Sequence, residues 1–189
     1  WALANDKEIG CLPDGRAGGD EIKGTNTMTF IHWSQKPSDR KATYLRVVAD
    51  YRPQKDDPYR VRWTVGGNLI NYAGNCSTKT ADLTTAKLLF NSVISTPNAK
   101  FMVIDLKNFY LETPMAEYEY MRIPLSNLPP AILDEYNLHD KISNGAVYAE
   151  IRKGMYGLPQ AGILANERLV AHLAKSGYHP RKHTHGLFY

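Results

Sequence analysis

Residues 60–67 read RVRWTVGG, a run in which polar and apolar side chains alternate before two glycines. Strict alternation of this kind predicts a β-strand with one buried face, and the glycines predict a turn after it. The apolar face comprises Val61, Trp63 and Val65. Arg60 and Arg62 therefore share the other face, where two guanidinium groups form a fork suited to a triphosphate or a nucleic-acid backbone. The exposed face of an ordinary hairpin would give the same pattern.

The segments on either side of this strand predict an α+β fold. Strands are expected at TMTFIHW (27–33) and TYLRVVA (43–49) because they are rich in β-branched and aromatic residues. Two more are expected at KFMVIDL (100–106), after the first predicted helix, and at AVYAEI (146–151), where polar and apolar residues alternate. Apolar residues recur at three and four residue intervals from about Thr80 to Pro97 and again over 161–176, which predicts helices. Asp82 suits the start of the first helix and Gly177 the end of the second. The order predicts helices packed on an antiparallel sheet.

The composition is that of a globular domain. Of the 189 residues, 43% are hydrophobic and 22% charged. No apolar run reaches the roughly 18 residues that a membrane-spanning helix needs, and no basic flank precedes an apolar stretch at the start, as it would in a secretory signal. Cys11 and Cys76 stand in no metal-ligand spacing, which favours a reduced intracellular compartment. The chain starts at Trp1 and ends on the strand-like run HGLFY, so we expect a fragment of a longer polypeptide.

Positive charge is concentrated in one segment. The net charge is +4, and residues 36–62 alone hold eight basic against four acidic side chains. Tyrosines and Trp63 are interleaved with the bases, a mixture that serves phosphate contact and base stacking. Arg46 and Arg52, in LRVVADYR (45–52), are a second candidate pair for a phosphate group. A solvated basic β-ribbon is the alternative interpretation.

Asp105 interrupts the apolar run FMVIDLKNFYL (101–111). Both faces of the predicted strand are largely apolar, so we expect it to be central in the sheet and covered by helices. A carboxylate at the end of such a strand can bind a divalent cation at the rim of the sheet. It can equally cap the following turn or pair with Lys107.

The run KGMYGLPQAG (153–162) leads into the last predicted helix. Its glycines would let backbone approach a ligand closely, and Gln160 would present an amide at the positive end of the helix dipole. Further along, three histidines crowd GYHPRKHTH (177–185). A zinc site is disfavoured there because Arg181 and Lys182 lie between the histidines and no cysteine or acid is near, so a basic loop contacting nucleic acid fits better.

Taken in order, these segments resemble the reverse transcriptase domain of copia-type (Pseudoviridae-like) retrotransposon polyproteins. YRVRWTVGG resembles the fingers strand, and FMVIDLKNFYL followed by YEYMRIP resembles the first catalytic motif. VYAEIRKGMYGLPQAG is similar to the Tyr-Gly-Leu-x-Gln-Ala block before the palm helix. SGYHPRKHTHGLFY (176–189) resembles the stretch that leads to the catalytic Asp-Asp hairpin.

The resemblance implies a role for individual residues. Asp105 and the Leu106 carbonyl would bind catalytic Mg²⁺, with Mn²⁺ as an alternative, and Tyr110 would stack under the sugar and reject a 2′-hydroxyl. The nucleotide would be bound by Arg60, Arg62 and Gln160. The nucleic acid would be bound by Arg46, Lys153 and Gly157. The reaction would be attack of a primer 3′-hydroxyl on the α-phosphate of a dNTP.

The resemblance also implies an organisation and partners. It divides the chain into an N-terminal extension and fingers (1–99), a palm segment with the first catalytic motif (100–118), a fingers and palm insertion (119–160) and a partial palm (161–189). The partners would be an RNA or DNA primer–template, dNTPs, and the ribonuclease H and integrase parts of the polyprotein. The location would be intracellular, either cytoplasmic in a virus-like particle or nuclear, without membrane contact.

Two departures weaken the expectation of activity. The family needs two further aspartates on a hairpin after the palm helix, and none follows here. The helix reads AGILANERL where the family more often has proline and aromatic residues. We therefore expect the chain to be inactive alone. A non-catalytic nucleic-acid-binding module and a structural α+β domain without a ligand are the alternatives.

Overall fold

The computed structural model describes residues 1–16, 22–78 and 80–189. The helices are α1 (Ala2–Cys11), α2 (Leu83–Ser95), α3 (Pro130–Glu135) and α4 (Ala161–Ala174). The strands are β1 (Gly15–Arg16), β2 (Ile22–Lys23), β3 (Met28–Ile31), β4 (Ala42–Tyr51), β5 (Tyr59–Val65), β6 (Pro114–Pro124) and β7 (Ala146–Lys153). Short 3-10 turns span Trp33–Gln35, Gly67–Leu69, Leu125–Asn127 and His139–Lys141. The α+β class predicted from the sequence is confirmed.

One five-stranded sheet, in the order β3-β7-β6-β4-β5, organises the chain. Most neighbours are antiparallel, but β4 runs parallel to β6, with Ala42 opposite Tyr120. The prediction of an antiparallel sheet is therefore wrong, because the sheet is mixed. A long connection containing α2 separates β5 from β6, and such a crossover lets β6 return beside β4 in the parallel direction. The small pair β1–β2 lies outside this sheet.

Strand β5 has the alternation that the sequence predicts. Val61, Trp63 and Val65 are buried, with Trp63 fully so, while the arginines between them are only partly covered. The core continues through the inner residues of β3, β6 and β7 and is closed by Ile9 of α1 and Ile132 of α3. The predicted strands within 27–33, 43–49 and 146–151 are likewise confirmed by β3, β4 and β7.

Helix α1, which the sequence pattern did not predict, covers the outer edge of β5. The Glu8 carboxylate accepts a hydrogen bond from the Trp63 backbone N–H at 3.0 Å, and Asn5 accepts one from the indole N–H at 2.9 Å. The Val65 N–H donates to the Tyr156 carbonyl at 2.7 Å. These contacts satisfy backbone groups that an edge strand would otherwise present to solvent or to another chain.

Residues 101–106 do not form the central strand that we predicted. They have no regular secondary structure and all six are exposed. Within the described residues, no strand is paired with them in a ladder of hydrogen bonds. Their exposure leaves these backbone groups open to hydration. Apolar sequence on both faces therefore indicated burial that this structure does not provide.

Helix α2 forms where the periodicity predicts it but buries none of its side chains. Asp82 caps it as expected, because its carboxylate accepts from the Thr85 N–H at 2.7 Å. Phe90 contacts Phe101 edge-on with ring centroids 5.1 Å apart. The helix thus packs loosely beside the irregular segment 101–106.

Helix α4 ends near the predicted Gly177, whose φ is +83°. It buries Ala161 and Ala165 against the core. The expected final strand in 185–189 is reduced to an isolated bridge between Pro180 and Phe188. None of the helices in the described parts of the chain is long and apolar enough to cross a membrane. Glycines among polar residues at 15–24 predict a flexible loop; residues 17–21 of it lie outside the described residues, and the residues on either side pair as β1 and β2.

Candidate triphosphate-binding cavity

A cavity of about 230 Å³ lies between α1, the outer part of β5 and the turn that follows Leu106. Helix α1 forms one wall with Ala4, Lys7, Glu8 and Cys11. The other walls are formed by Arg52, Asp57, Tyr59, Arg60, Val61, Arg62, Asn108, Leu111 and Tyr156. The site is therefore assembled from four separate stretches of sequence.

The charges around the cavity favour an anionic ligand. Lys7, Arg52, Arg60 and Arg62 line it, against two acids, Glu8 and Asp57. Asp57 is already engaged by Lys7, with 3.0 Å between the ammonium nitrogen and the carboxylate. Arg52 is likewise paired, with Asp50 at 3.7 Å. Arg60 and Arg62 therefore form the positive patch, and their planar donor groups match phosphate oxygens.

Arg62 lies on an aromatic platform. Its guanidinium carbon is 4.3 Å from the centroid of the Tyr156 ring, within the range of a cation–π interaction. Tyr156 in turn meets Tyr110 edge-on, with ring centroids 5.5 Å apart. Arg62, predicted to bind the triphosphate, and Tyr110, predicted to contact the sugar, thus both contact the Tyr156 ring.

Glu8 is a mostly buried carboxylate beside Arg62. Burial raises the pKa of its carboxyl group, while the hydrogen bond from the Trp63 N–H and the nearby Arg62 cation oppose that rise. Burial also raises the pKa of the Tyr156 hydroxyl, and the same Arg62 cation lowers it. Both groups therefore sense the charge of Arg62 from inside the cavity wall.

Arg46, the competing arginine, lies on the same face of the β4–β5 hairpin as Arg62. Its cross-strand partner is Thr64, and Val48 is paired with Arg62. In antiparallel strands, directly opposed residues point to one face, so the face carries Arg46, Arg60 and Arg62 together. Arg46 itself lines a second cavity of about 530 Å³, which also includes Tyr44 and Gly157. The two arginine candidates thus belong to neighbouring cavities.

Asp105 and Leu106, the predicted metal ligands, are exposed in the irregular segment. The salt bridges within the described residues do not pair Asp105 with Lys107. In the part of the chain that the structure describes, no group of three or more His, Cys, Asp or Glu side chains is placed to hold a metal ion. Mg²⁺ takes about six oxygen ligands, so one carboxylate and one carbonyl do not form a complete site.

Gln160, expected at the nucleotide, is 4% exposed and lines neither cavity, although its neighbour Pro159 lines the second. Its amide nitrogen is 3.4 Å from a carboxylate oxygen of Glu119. Glu119 also pairs with Arg40, at 3.0 Å. This buried polar group ties the start of α4 to β6 and to the loop before β4.

Lys153 and Gly157, assigned to nucleic acid by resemblance, have internal contacts here. The Lys153 ammonium group donates to the Thr25 carbonyl and lies 3.6 Å from Glu112. Gly157 has a φ of +94°, and a Cβ there would lie 2.1 Å from the Val65 carbonyl oxygen. Only glycine fits such a close approach, so its evident role is to pack against β5.

Sequence reasoning missed the cavity residues from α1 and the part played by Tyr156. In α1 the buried residues are Ala4, Ile9 and Gly10. So few buried positions do not give the apolar periodicity that predicts a helix. Tyr156 stands in the quoted glycine-rich run, but its contact with Arg62 joins residues almost a hundred positions apart. The alternation of Arg60 and Arg62 with apolar residues did predict the cavity wall that β5 forms opposite α1.

The chain was compared with models of protein families, with curated proteins and with solved structures, and none of them matches it.

Proposed function

We propose that this chain is the fingers and part of the palm of an RNA-directed DNA polymerase from a copia-type retrotransposon. The supporting observation is the cavity in which Arg60 and Arg62 lie with Asn108, Leu111 and Tyr156. The motif resemblance assigns the arginines, the 101–111 run and the Tyr-Gly-Leu run to one nucleotide site. Each of these stretches contributes lining residues to the one cavity, namely Arg60 and Arg62, Asn108 and Leu111, and Tyr156. Tyr110 contacts the Tyr156 ring, while Asp105 and Gln160 lie outside the lining.

In this proposal the arginines bind the triphosphate of a dNTP and Tyr110 contacts its sugar. Asp105 contributes one ligand to a Mg²⁺ site that needs further carboxylates. The residues after α4 include no aspartate. The 189-residue chain is therefore proposed to bind nucleotide and primer–template without extending a primer.

Nucleotide binding tests this proposal on the chain as it stands. Titration of dGTP followed by calorimetry should show saturable binding, and Arg62→Gln should weaken it by about tenfold or more, because a charge-assisted hydrogen bond contributes roughly 1.5–3 kcal/mol. The matched control is Arg122→Gln, since Arg122 is a partly buried arginine on β6 outside both cavities. Equal affinity of the chain and the Arg62→Gln variant would remove the cavity from the proposal.

An exposed aromatic cluster favours a second candidate, a non-catalytic module that binds single-stranded nucleic acid. Tyr59 lies 5.0 Å from Trp1 and 5.4 Å from Tyr51 between ring centroids, and all three rings are about half exposed. Such rings stack with bases regardless of sequence. This candidate predicts that Tyr59→Ala weakens oligonucleotide binding. It also predicts that the chain either does not bind dGTP or binds it with an affinity that Arg62→Gln does not change.

A further inference from the structure

We propose that Tyr156 is a positioning residue that holds the Arg62 guanidinium and the Tyr110 ring in a fixed relation, so that triphosphate contact and sugar contact are set together. The inference rests on the proposed function of the cavity and adds to it a residue and a role that the motif resemblance does not assign.

The geometry of the three side chains supports this role. Arg62 lies over the face of the Tyr156 ring, with 4.3 Å from its guanidinium carbon to the ring centroid. Tyr110 meets the same ring at an interplanar angle of 73°. One ring thus offers its face to the cation and packs against the second ring, and both contact geometries are favourable for aromatic groups.

Holding an arginine by its face preserves its function as an anion ligand. The salt bridges within the described residues do not include Arg62. A carboxylate partner would occupy the N–H donors, which lie in the guanidinium plane. A ring beneath that plane fixes the group and leaves most of its donors available to phosphate oxygens.

The backbone around Tyr156 is firmly anchored. Its carbonyl accepts the Val65 N–H at 2.7 Å. The next residue, Gly157, lies directly against Val65, and the preceding Met155 is fully buried. A Cβ at Gly154 would lie 2.8 Å from the Tyr110 carbonyl oxygen, so the run also packs tightly against the turn that carries Tyr110. The ring therefore projects from a rigid base, as a positioning group requires.

Tripolyphosphate binding separates the ring face from the hydroxyl group. Calorimetric titration of the full 189-residue chain with sodium tripolyphosphate should give similar affinities for the chain and for Tyr156→Phe, which keeps the ring. Tyr156→Leu should bind about three- to thirtyfold more weakly, because the cation–π contact that orients Arg62 is lost. Tyr118→Leu is the control, since it removes another ring beneath an arginine, Arg152 at 5.8 Å, outside the cavity.

A second measurement follows the link to Tyr110. The ratio of GTP to dGTP dissociation constants should fall in Tyr156→Leu, which releases the ring that contacts the sugar, and in Tyr110→Ala, which removes that ring. Arg62→Gln should weaken both nucleotides equally and leave the ratio unchanged. Thermal unfolding of each variant checks that it is folded, and Tyr156→Met, which retains bulk without an aromatic face, replaces the leucine variant if that one does not fold.

The outcomes distinguish the two proposals. If Arg62→Gln binds tripolyphosphate as well as the unchanged chain does, the proposed function of the cavity fails. If Arg62→Gln weakens binding but folded Tyr156→Leu or Tyr156→Met does not, the positioning role alone is overturned. Weak binding by the leucine or methionine variant, together with recovery in Tyr156→Phe, supports it.

Discussion

The five-stranded sheet and the segment from α2 to Leu106 contain similar apolar residues but bury them differently. Trp63 and Ile151 in the sheet are fully buried, whereas Ile94 of α2 is 85% exposed and Val103 is 73% exposed. The contrast lies in their partners. Each strand of the sheet has a hydrogen-bonded neighbour, and β3, β5, β6 and β7 bury a face in the core, whereas most of β4 is exposed. Within the described residues, segment 101–106 has neither a ladder nor a cover.

This difference shows what an apolar pattern determines. Side-chain hydrophobicity favours burial, but a strand is buried only if its backbone groups are also paired. In β5 this pairing comes from β4 on one side and from α1 and Tyr156 on the other. Residues 101–106 have a higher proportion of apolar side chains than β5, but their backbone groups lack such hydrogen-bonded partners.

The largest expected difference is in the loss of stability when an apolar side chain is replaced by alanine in each of the two regions. Trp63→Ala should lower the free energy of unfolding by about 3–5 kcal/mol, because it removes a fully buried ring. Ile94→Ala should change it by less than about 0.5 kcal/mol, because that side chain is already hydrated. Urea denaturation measures both, and a large cost at Ile94 would mean that α2 is covered in solution.

A pair of glycines tests whether the packing beside β5 is as tight as described. Gly157 and Gly177 both have positive φ, but a Cβ would clash with the Val65 carbonyl only at Gly157 and would meet open space at Gly177. Gly177→Ala should cost about 1 kcal/mol for the backbone conformation alone. Gly157→Ala should cost more than about 2 kcal/mol, since conformational strain and the clash both contribute. Equal costs in urea denaturation would show that β5 and the Tyr156 run are not in close contact.

Glu8 gives the smallest expected effect, through pH. Because burial raises its carboxyl pKa in the folded chain, folding favours the protonated form. Stability contributed by this group is present below its unfolded pKa and is lost as pH rises through the raised folded pKa. Glu8→Gln keeps an acceptor for the Trp63 N–H without the charge, so its unfolding free energy relative to the unchanged chain should increase from pH 4 to pH 7.

The pH comparison has its own control. Glu117→Gln alters an exposed carboxylate on β6, outside the cavity, and should not reproduce the trend. A difference between the Glu8→Gln variant and the unchanged chain that stays constant across this pH range would contradict the burial of Glu8 against β5.

The sequence predicted those parts of the fold that depend on local pattern. The alternation in RVRWTV located β5, and the periodicity after Asp82 located α2 and its cap. It could not predict the parallel pairing of β4 with β6, because register between distant strands depends on tertiary contacts. It also missed α1, whose few buried residues give only a weak helical signal.

The sequence likewise predicted only those residues of the candidate site that a local pattern reveals. Arg60 and Arg62 stood out because two cations shared one strand face, and the structure places both at the cavity. Tyr156 and Glu8 could not be recognised, since their importance comes from contact with Arg62 across the fold. Asp105 remains a predicted metal ligand that the exposed segment 101–106 leaves without neighbouring carboxylates.

Primer extension tests the central claim of polymerase parentage most directly. The measurement uses a longer polypeptide in which these residues are followed by an Asp-Asp hairpin, supplied with primer–template, dNTPs and Mg²⁺. Asp105→Asn should lower the extension rate by at least about 10²–10³-fold, the loss typical of one electrostatic contact in a transition state, while Asp140→Asn, an exposed control, should leave it unchanged. Full extension by the Asp105→Asn variant would contradict the claim.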